Sequence, residues 1–533
     1  MTNWGPHRHP GLMMPEPFRE SARGGHELTD QGLSRFDFRQ VAAHGWGDPF
    51  NSYAYSMAWF QDALYVGNSR GNLVMIHRNH PEWMNKWPVR IPNEFHDLDF
   101  RAQIWRYRPM SSVWEHIHSS PRVPGRNGLM IPRDIGYRSM AVLRDALYVA
   151  GFSPASSGLP PQILRSCNGN KFDGISTLGT NAELNTYRVL QVFGRYLYTS
   201  PTGKSGGEAN ASNSAVVFQV EDPATQPWRP VSERGFGDAH NQTCFEMASF
   251  NNKLYVGTLN PISGFQIWKT DGQQQPFKWS RVIANGAYRG NLNELAISMC
   301  VFKGALYVGT AVQNGGYDRL NKVGPAAPEL IRIHPDDSWD LIVGTPRATP
   351  DGRKFPLSGK GPGFDNPFNG YFWRMAVHNG SLYLGTYKWT VFLPYTSSDK
   401  WPFDFQNIVG QIGIDELAYF AGGCDLWRSP DGVNWLPVTR NGFDNPYNYG
   451  IRTLQSTPYG LFVGTANPFG PDVAVRVSKT KSGNDKWEFR PNAKAGLEIW
   501  LGTEHHHHSD LLRNHSRSLD LKRDRNRRSR GRL

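Results

Sequence analysis

The sequence predicts an all-β fold, a seven-bladed β-propeller closed by an outer strand from the N-terminal end. Three observations predict it. A Leu-Tyr-Val-Gly motif recurs seven times, each copy has an apolar residue seven positions upstream, and the last repeat lacks a final strand that an orphan segment near the N-terminus supplies.

The motif stands at Leu64-Tyr65-Val66-Gly67, Leu147-Tyr148-Val149, Leu197-Tyr198-Thr199, Leu254 to Thr258, Leu306 to Thr310, Leu382 to Thr386 and Leu461 to Thr465. The upstream partners are Met57, Met140, Leu190, Met247, Met299, Met375 and Leu454. A unit therefore reads as strand a with the Met or Leu, strand b with the motif, strand c as in Gly264-Phe265-Gln266-Ile267-Trp268, and strand d after a polar turn. Residues 36 to 44 are a strand d with no unit before them, and Ile499-Trp500 is a strand c with no strand d after it. Joining them closes the ring and removes both free sheet edges.

Composition agrees with many short strands and tight turns: aromatics make up 13% of the chain, with 55 Gly and 38 Pro. The organisation expected is an N-terminal arm over 1–34, the propeller over 35–503 and a His/Arg-rich disordered tail over 504–533. Of the net charge of +12, the segment from Arg513 to Arg532 carries +7, leaving about +5 for the rest. Nucleic acid is thus expected only as a nonspecific partner of the tail. Cys167, Cys244, Cys300 and Cys424 show no CxxC spacing, so neither a metal site nor a disulfide framework is expected. No cofactor is expected. No apolar leader or membrane span is legible, and the reading is a cytoplasmic monomer.

The turns at Arg428 to Trp435, Ser166 to Phe172 and Thr270-Asp271-Gly272 resemble shortened Asp-box turns, the c-to-d hairpins of sialidase-like propellers. The resemblance implies architecture only, since those turns are structural in that family. The diglycine of kelch repeats and the Trp-Asp pair of WD40 repeats are missing.

Function is sought where the repeats differ. The b-to-c connections are long in the first, sixth and last units and rich in aromatics, among them Trp83, Trp87, Phe95, His96, Trp389, Phe392, Trp401, Tyr419 and Phe420. They are expected to form a lid or pocket wall over one channel mouth, with stabilising packing as the alternative. Immediately before the aligned Met or Leu stand Ser56, Ser139, Val189, Glu246, Ser298, Arg374 and Thr453, and one position earlier Tyr55, Arg138, Arg188, Phe245, Ile297, Trp373 and Arg452. Charges on an innermost strand must reach the channel or be paired. Arg138, Arg188, Arg374 and Arg452 are read as an anion-binding cluster, the alternative being inter-blade ion pairs and backbone bonds.

Glu246 and His240 are the candidate proton-transfer residues, with Arg374 beside them as catalytic. Tyr53, Tyr449, Trp389 and Asp415 complete the expected substrate-binding rim. The expected function is an enzyme acting at the channel mouth on a small, partly apolar or aromatic substrate bearing an anionic or carbonyl group. A noncatalytic protein- or carbohydrate-binding propeller is the alternative, and a sialidase-like glycoside hydrolase the second. No phosphate-cradling Gly-rich loop and no serine nucleophile elbow is present.

Overall fold

The computed structural model describes residues 32–94, 97–154, 158–175, 186–203, 215–396, 403–478 and 485–504. Most of the expected arm (1–31), the tail from His505 onward, and Phe95, His96 and Trp401 lie outside the described residues.

The protein is all-β in its framework, and the described residues form a 28-stranded antiparallel sheet. The sheet runs as successive four-stranded ladders. The first joins Asn51–Phe60, Ala63–Arg70, Gln103–Arg108 and Val113–Ser119. The second joins Gly136–Leu143, Ala146–Phe152, Ile163–Ser166 and Asp173–Ile175, and the third Thr186–Phe193, Tyr196–Thr202, Phe218–Val220 and Arg229–Pro230. The fourth holds Thr243–Phe250, Lys253–Leu259, Ile267–Thr270 and Ser280–Ile283, and the fifth Leu295–Phe302, Ala305–Ala311, Leu330–Ile333 and Trp339–Val343. The sixth holds Asn369–His378, Ser381–Lys388, Leu426–Ser429 and Leu436–Thr439. The last joins Gly450–Thr457, Gly460–Ala466 and Ile499–Gly502, and its outer strand is Phe38–Ala42.

Single bridges link strand b of one ladder to strand a of the next: Ser69 to Gly136, Phe152 to Thr186, Leu259 to Leu295, Ala311 to Tyr371 and Tyr387 to Gly450. Between the third and fourth, the Thr202 and Thr243 hydroxyls are 3.2 Å apart. Ala466 bridges back to Tyr53 of the first.

Each letter of the recurring motif has a packing reason. Leu and Val, two positions apart, are buried on one face of strand b, and the Tyr between them is buried on the other. The glycine leaves room for the next ladder: a Cβ on Gly257 would stand 2.6 Å from Ala296 Cβ, and one on Gly309 2.8 Å from the Phe372 carbonyl oxygen. The threonine that follows clamps strand c. The hydroxyls of Thr258, Thr310, Thr386 and Thr465 accept the N–H of Gln266 (2.9 Å), Glu329 (2.8 Å), Asp425 (2.9 Å) and Glu498 (2.8 Å).

A second clamp repeats in the loop leading into strand a. Asn51, Asn241, Asn369 and Asn448 donate from Nδ2 to the carbonyls of Gly45, Gly235, Gly363 and Gly442 at 2.8 to 2.9 Å. The recurring Asp-Pro-Phe-Asn and Asn-Pro-Tyr-Asn sequences are thus turn chemistry.

The long connections fold back onto the ladders. Helix Asn72–Asn79 lies between strands b and c of the first, Thr390–Tyr395, Phe403–Ile412 and Ile414–Phe420 between those of the sixth, and the hairpin Asp472–Ser478 with Lys486–Pro491 between those of the last. Among the described residues no helix is long and apolar enough to cross a membrane.

Candidate functional site

The same irregularity occurs in the inner strand of the ladders. Pairing of strand a with strand b skips between Ala54 and Ser56, Tyr137 and Ser139, Cys244 and Glu246, Ala296 and Ser298, Phe372 and Arg374, and Ile451 and Thr453, and across Tyr187 to Leu190 in the third ladder. The residues left out of register are Tyr55, Arg138, Phe245, Ile297, Trp373 and Arg452, with Arg188 and Val189 in the third. A β-bulge re-aims its extra side chain, which is how one residue per ladder leaves the sheet's alternation.

These side chains meet one another. Arg452 lies 4.6 Å from the Tyr55 ring centroid and 5.2 Å from that of Trp373. Arg138 stands 5.6 Å from the Tyr55 centroid, and Arg188 is 3.5 Å from that of Phe245. Over Trp373, Arg452, Tyr55 and Arg138 the row alternates aromatic ring and guanidinium, a stabilising arrangement for a desolvated cation. Arg452 is 2% exposed, and its Nε and Nη1 have no hydrogen-bond partner among the described residues. Burial pushes its pKa down to about 9, with the charges of Arg374 and Arg138 acting in the same direction. Burial also lowers that of Arg138, opposed by Tyr55 and reinforced by Arg374.

One residue further along strand a, the row changes character. Ser56, Ser298 and Thr453 donate to the carbonyls of Tyr137 (2.7 Å), Phe372 (2.6 Å) and Ala54 (3.2 Å), and Ser139 accepts the Leu190 N–H (3.0 Å), each tying a ladder to the next. The two charged members of the row pair instead. Arg374 Nη1 is 2.7 Å from Glu246 Oε2, and Arg374 Nε donates to the Arg452 carbonyl at 3.2 Å. The structure thus brings together Arg138, Arg374, Arg452 and Glu246, and leaves Arg188 on Phe245 beside them.

The remaining expected site residues lie in other surroundings. Tyr53 and Tyr449 do not line an open rim: both are buried, their hydroxyls bond each other, and burial raises both pKa values. They belong to an apolar cluster with Tyr55, Trp373, Tyr387, Phe392, Tyr395, Phe469 and Val473. The long connections therefore pack against this end of the inner strands rather than stand off it. Their aromatic side chains gain more by leaving water than by walling an open cavity.

Trp389 packs 5.1 Å from Phe368 and stacks 5.6 Å from Phe405. Asp415 lies 3.4 Å from Arg476. His240 is 61% exposed and keeps to its own turn, its N–H donating to Asp238 at 2.9 Å and Nδ1 standing 3.4 Å from the same carboxylate.

Sequence reasoning missed a second titratable group. Glu294 has no exposed surface, its Oε2 accepts the Gln313 N–H at 2.9 Å, and its Oε1 has no partner among the described residues. Burial pushes its pKa up to about 9, against the Gln313 N–H, with Asp318 adding to the rise. Asp318 itself is saturated by Gln313 Nε2 (2.7 Å), Asn321 Nδ2 (2.6 Å) and the N–H groups of Leu320 and Asn321. The available signal was position: Glu294 follows the recurring asparagine where Ser52, Gln242, Gly370 and Tyr449 stand elsewhere. Among the described residues, no group of three or more His, Cys, Asp or Glu is disposed to hold a metal ion.

No family model matches the chain, and no curated protein matches it. Solved structures similar to it include a Mycobacterium tuberculosis puromycin-hydrolysing peptidase, at 11% identity and TM-score 0.41 over 86% of this chain and 57% of that one. The polysaccharide lyase Uly1 is similar at 10% identity and TM-score 0.43, over 85% and 91% of the two chains. The GH93 α-L-arabinofuranosidase of Fusarium graminearum is similar at 12% identity and TM-score 0.35, over 66% and 93%. The chain spans little more than half the length of the peptidases it matches. Likenesses this distant assign no activity to the chain.

Proposed function

We propose that the protein is a seven-bladed β-propeller, spanning 35–503 and closed by its N-terminal strand, and that it holds a small anionic ligand on Arg452 within the channel as an enzyme acting on that ligand. One observation carries the reading. Arg452 is buried, flanked by Tyr55 and Trp373, and offers two donors that nothing among the described residues accepts. Leaving a buried cation short of acceptors costs several kcal/mol unless an anion completes it (about 3 to 5 when one partner of a buried pair is removed). The aromatic faces beside it suit a flat, partly apolar body carrying a carboxylate.

The test is calorimetric titration of the full chain with benzoate, beside Arg452→Met. Saturable binding lost in the variant supports the reading, and binding indifferent to Arg452 overturns it. Incubation with a mixture of small carboxylates, followed by mass spectrometry, tests catalysis. A product that Arg452→Met does not make supports an enzyme.

A noncatalytic binding module is the second reading, and one observation favours it. Glu246 is engaged by Arg374 and His240 by Asp238, so each expected proton-transfer group already has a partner of its own. Unaltered acids together with saturable binding would select it.

A further inference from the structure

Resting on the anion site at Arg452, we propose that its ligand is a carboxylate that enters from the hairpin side of the channel by exchanging with Glu246 on Arg374. The side bearing the long connections is closed, because Tyr53, Tyr387, Tyr449, Phe392 and Phe469 are buried there in one cluster. Each inner strand runs from that side toward its a-to-b hairpin. In the sixth ladder Asn369 faces Lys388 at the closed end, and His378 faces Ser381 at the hairpin. Arg374 follows the bulge residue Trp373 by one position and Glu246 follows Phe245 by one, so the ion pair lies a step nearer the hairpins than the bulge row.

Accessibility agrees with that order. The side chain of Arg374 is 27% exposed and that of Glu246 12%, whereas Arg452 is 2% exposed. Solvent, and any solute, meets the ion pair before it meets Arg452.

The bonding of Arg374 suits an exchange. Its Nε is fixed on the carbonyl of Arg452 itself, while Nη1 holds a single carboxylate oxygen. An incoming carboxylate can replace Glu246 at Nη1 without moving the guanidinium, because it offers the same acceptor geometry and charge. The Arg374 anchor then places that carboxylate next to Arg452, whose own carbonyl holds Arg374 Nε. Each step exchanges one ion pair for another, with no bond made or broken. Displaced Glu246 becomes a carboxylate freed of its cation beside the ligand, a state in which it can accept a proton.

The experiment uses the full chain and titrates benzoate and, separately, sulfate into wild type, Glu246→Gln, Glu246→Asp and Arg452→Met, with circular dichroism as the folding control. Removing the competing carboxylate should tighten benzoate about fivefold in Glu246→Gln, the equivalent of a partly exposed ion pair. Glu246→Asp, which shortens the competitor, should fall between. Benzoate affinity unchanged or weakened in both Glu246 variants, while Arg452→Met still abolishes binding, overturns the exchange and leaves the anion site standing. Benzoate binding that survives Arg452→Met overturns the site itself. Sulfate bound as tightly as benzoate by wild type overturns the assignment to a carboxylate.

Discussion

Arg374 Nη1 and Glu246 Oε2 are 2.7 Å apart although their strands are not neighbours, since the fifth ladder lies between the fourth and the sixth. The pair spans from one inner strand to another across an intervening one, and Arg374 Nε extends the tie to the last ladder through the Arg452 carbonyl. Its contribution to stability is expected as a coupling of about 1–2 kcal/mol between Arg374→Ala and Glu246→Ala, measured by urea unfolding in a double-mutant cycle. A coupling near zero would mean that the pair holds nothing together.

Arg452→Met should stabilise the protein while abolishing benzoate binding. Replacing a buried, under-satisfied cation by an apolar chain of similar length is expected to raise stability by about 1 kcal/mol or more. Thermal melts of the two proteins without ligand check the sign. A strongly destabilised Arg452→Met would place Arg452 in the framework.

Glu294 should make the protein less stable as pH rises. Its folded-state pKa of about 9 lies above the ordinary glutamate value of 4.5, so the folded chain keeps a proton that the unfolded chain releases. Stability is then lost progressively as pH climbs from about 4.5 to about 9. Below the lower value both states are protonated and the effect vanishes. Glu294→Gln should flatten that slope, as read from urea midpoints at about pH 6 and about pH 9. An unchanged slope would overturn the assignment.

Two glycines separate backbone strain from crowding. Gly47 (φ 88°) has nothing within 4 Å of the place an added Cβ would take, whereas at Gly432 (φ 79°) the Tyr307 hydroxyl occupies that space. Gly47→Ala should cost about 1 kcal/mol, the left-handed penalty alone. Gly432→Ala should cost distinctly more, about 2–4 kcal/mol, because buried tyrosine must move as well. Equal losses in chemical denaturation would mean that the turn yields.

The ladders were legible because Leu, Tyr, Val, Gly and Thr each answer a contact that every ladder repeats, and Phe38–Ala42 stood out as a strand without a unit. The rows through Arg138 and Arg374 could also be aligned by position. What alignment could not give was the register slip: Trp373 and Arg374 are adjacent in sequence, yet one stacks on Arg452 while the other reaches Glu246. The aromatic connections misled in a physical way. Phe392 looks like a pocket wall in a sequence but is buried against Tyr449 and Phe469, since nothing in residue type distinguishes a ring that meets a ligand from one that meets another ring. Glu294 went unnoticed because its weight comes from burial and from Asp318, which lies across a loop rather than along a strand.

The ladder that pairs Phe38 with Gly502 and Ala42 with Ile499 gives folding an order in time. Every other ladder draws its strands from one continuous stretch and can form as that stretch leaves the ribosome. This one joins strands from distant parts of the chain, so Phe38–Ala42 must wait, exposed as an unpaired edge, for Ile499–Gly502. That pairing is a high-contact-order event and is expected to be the slow step of folding. Until then the strand that completes the sheet is also the edge most open to pairing with the wrong chain.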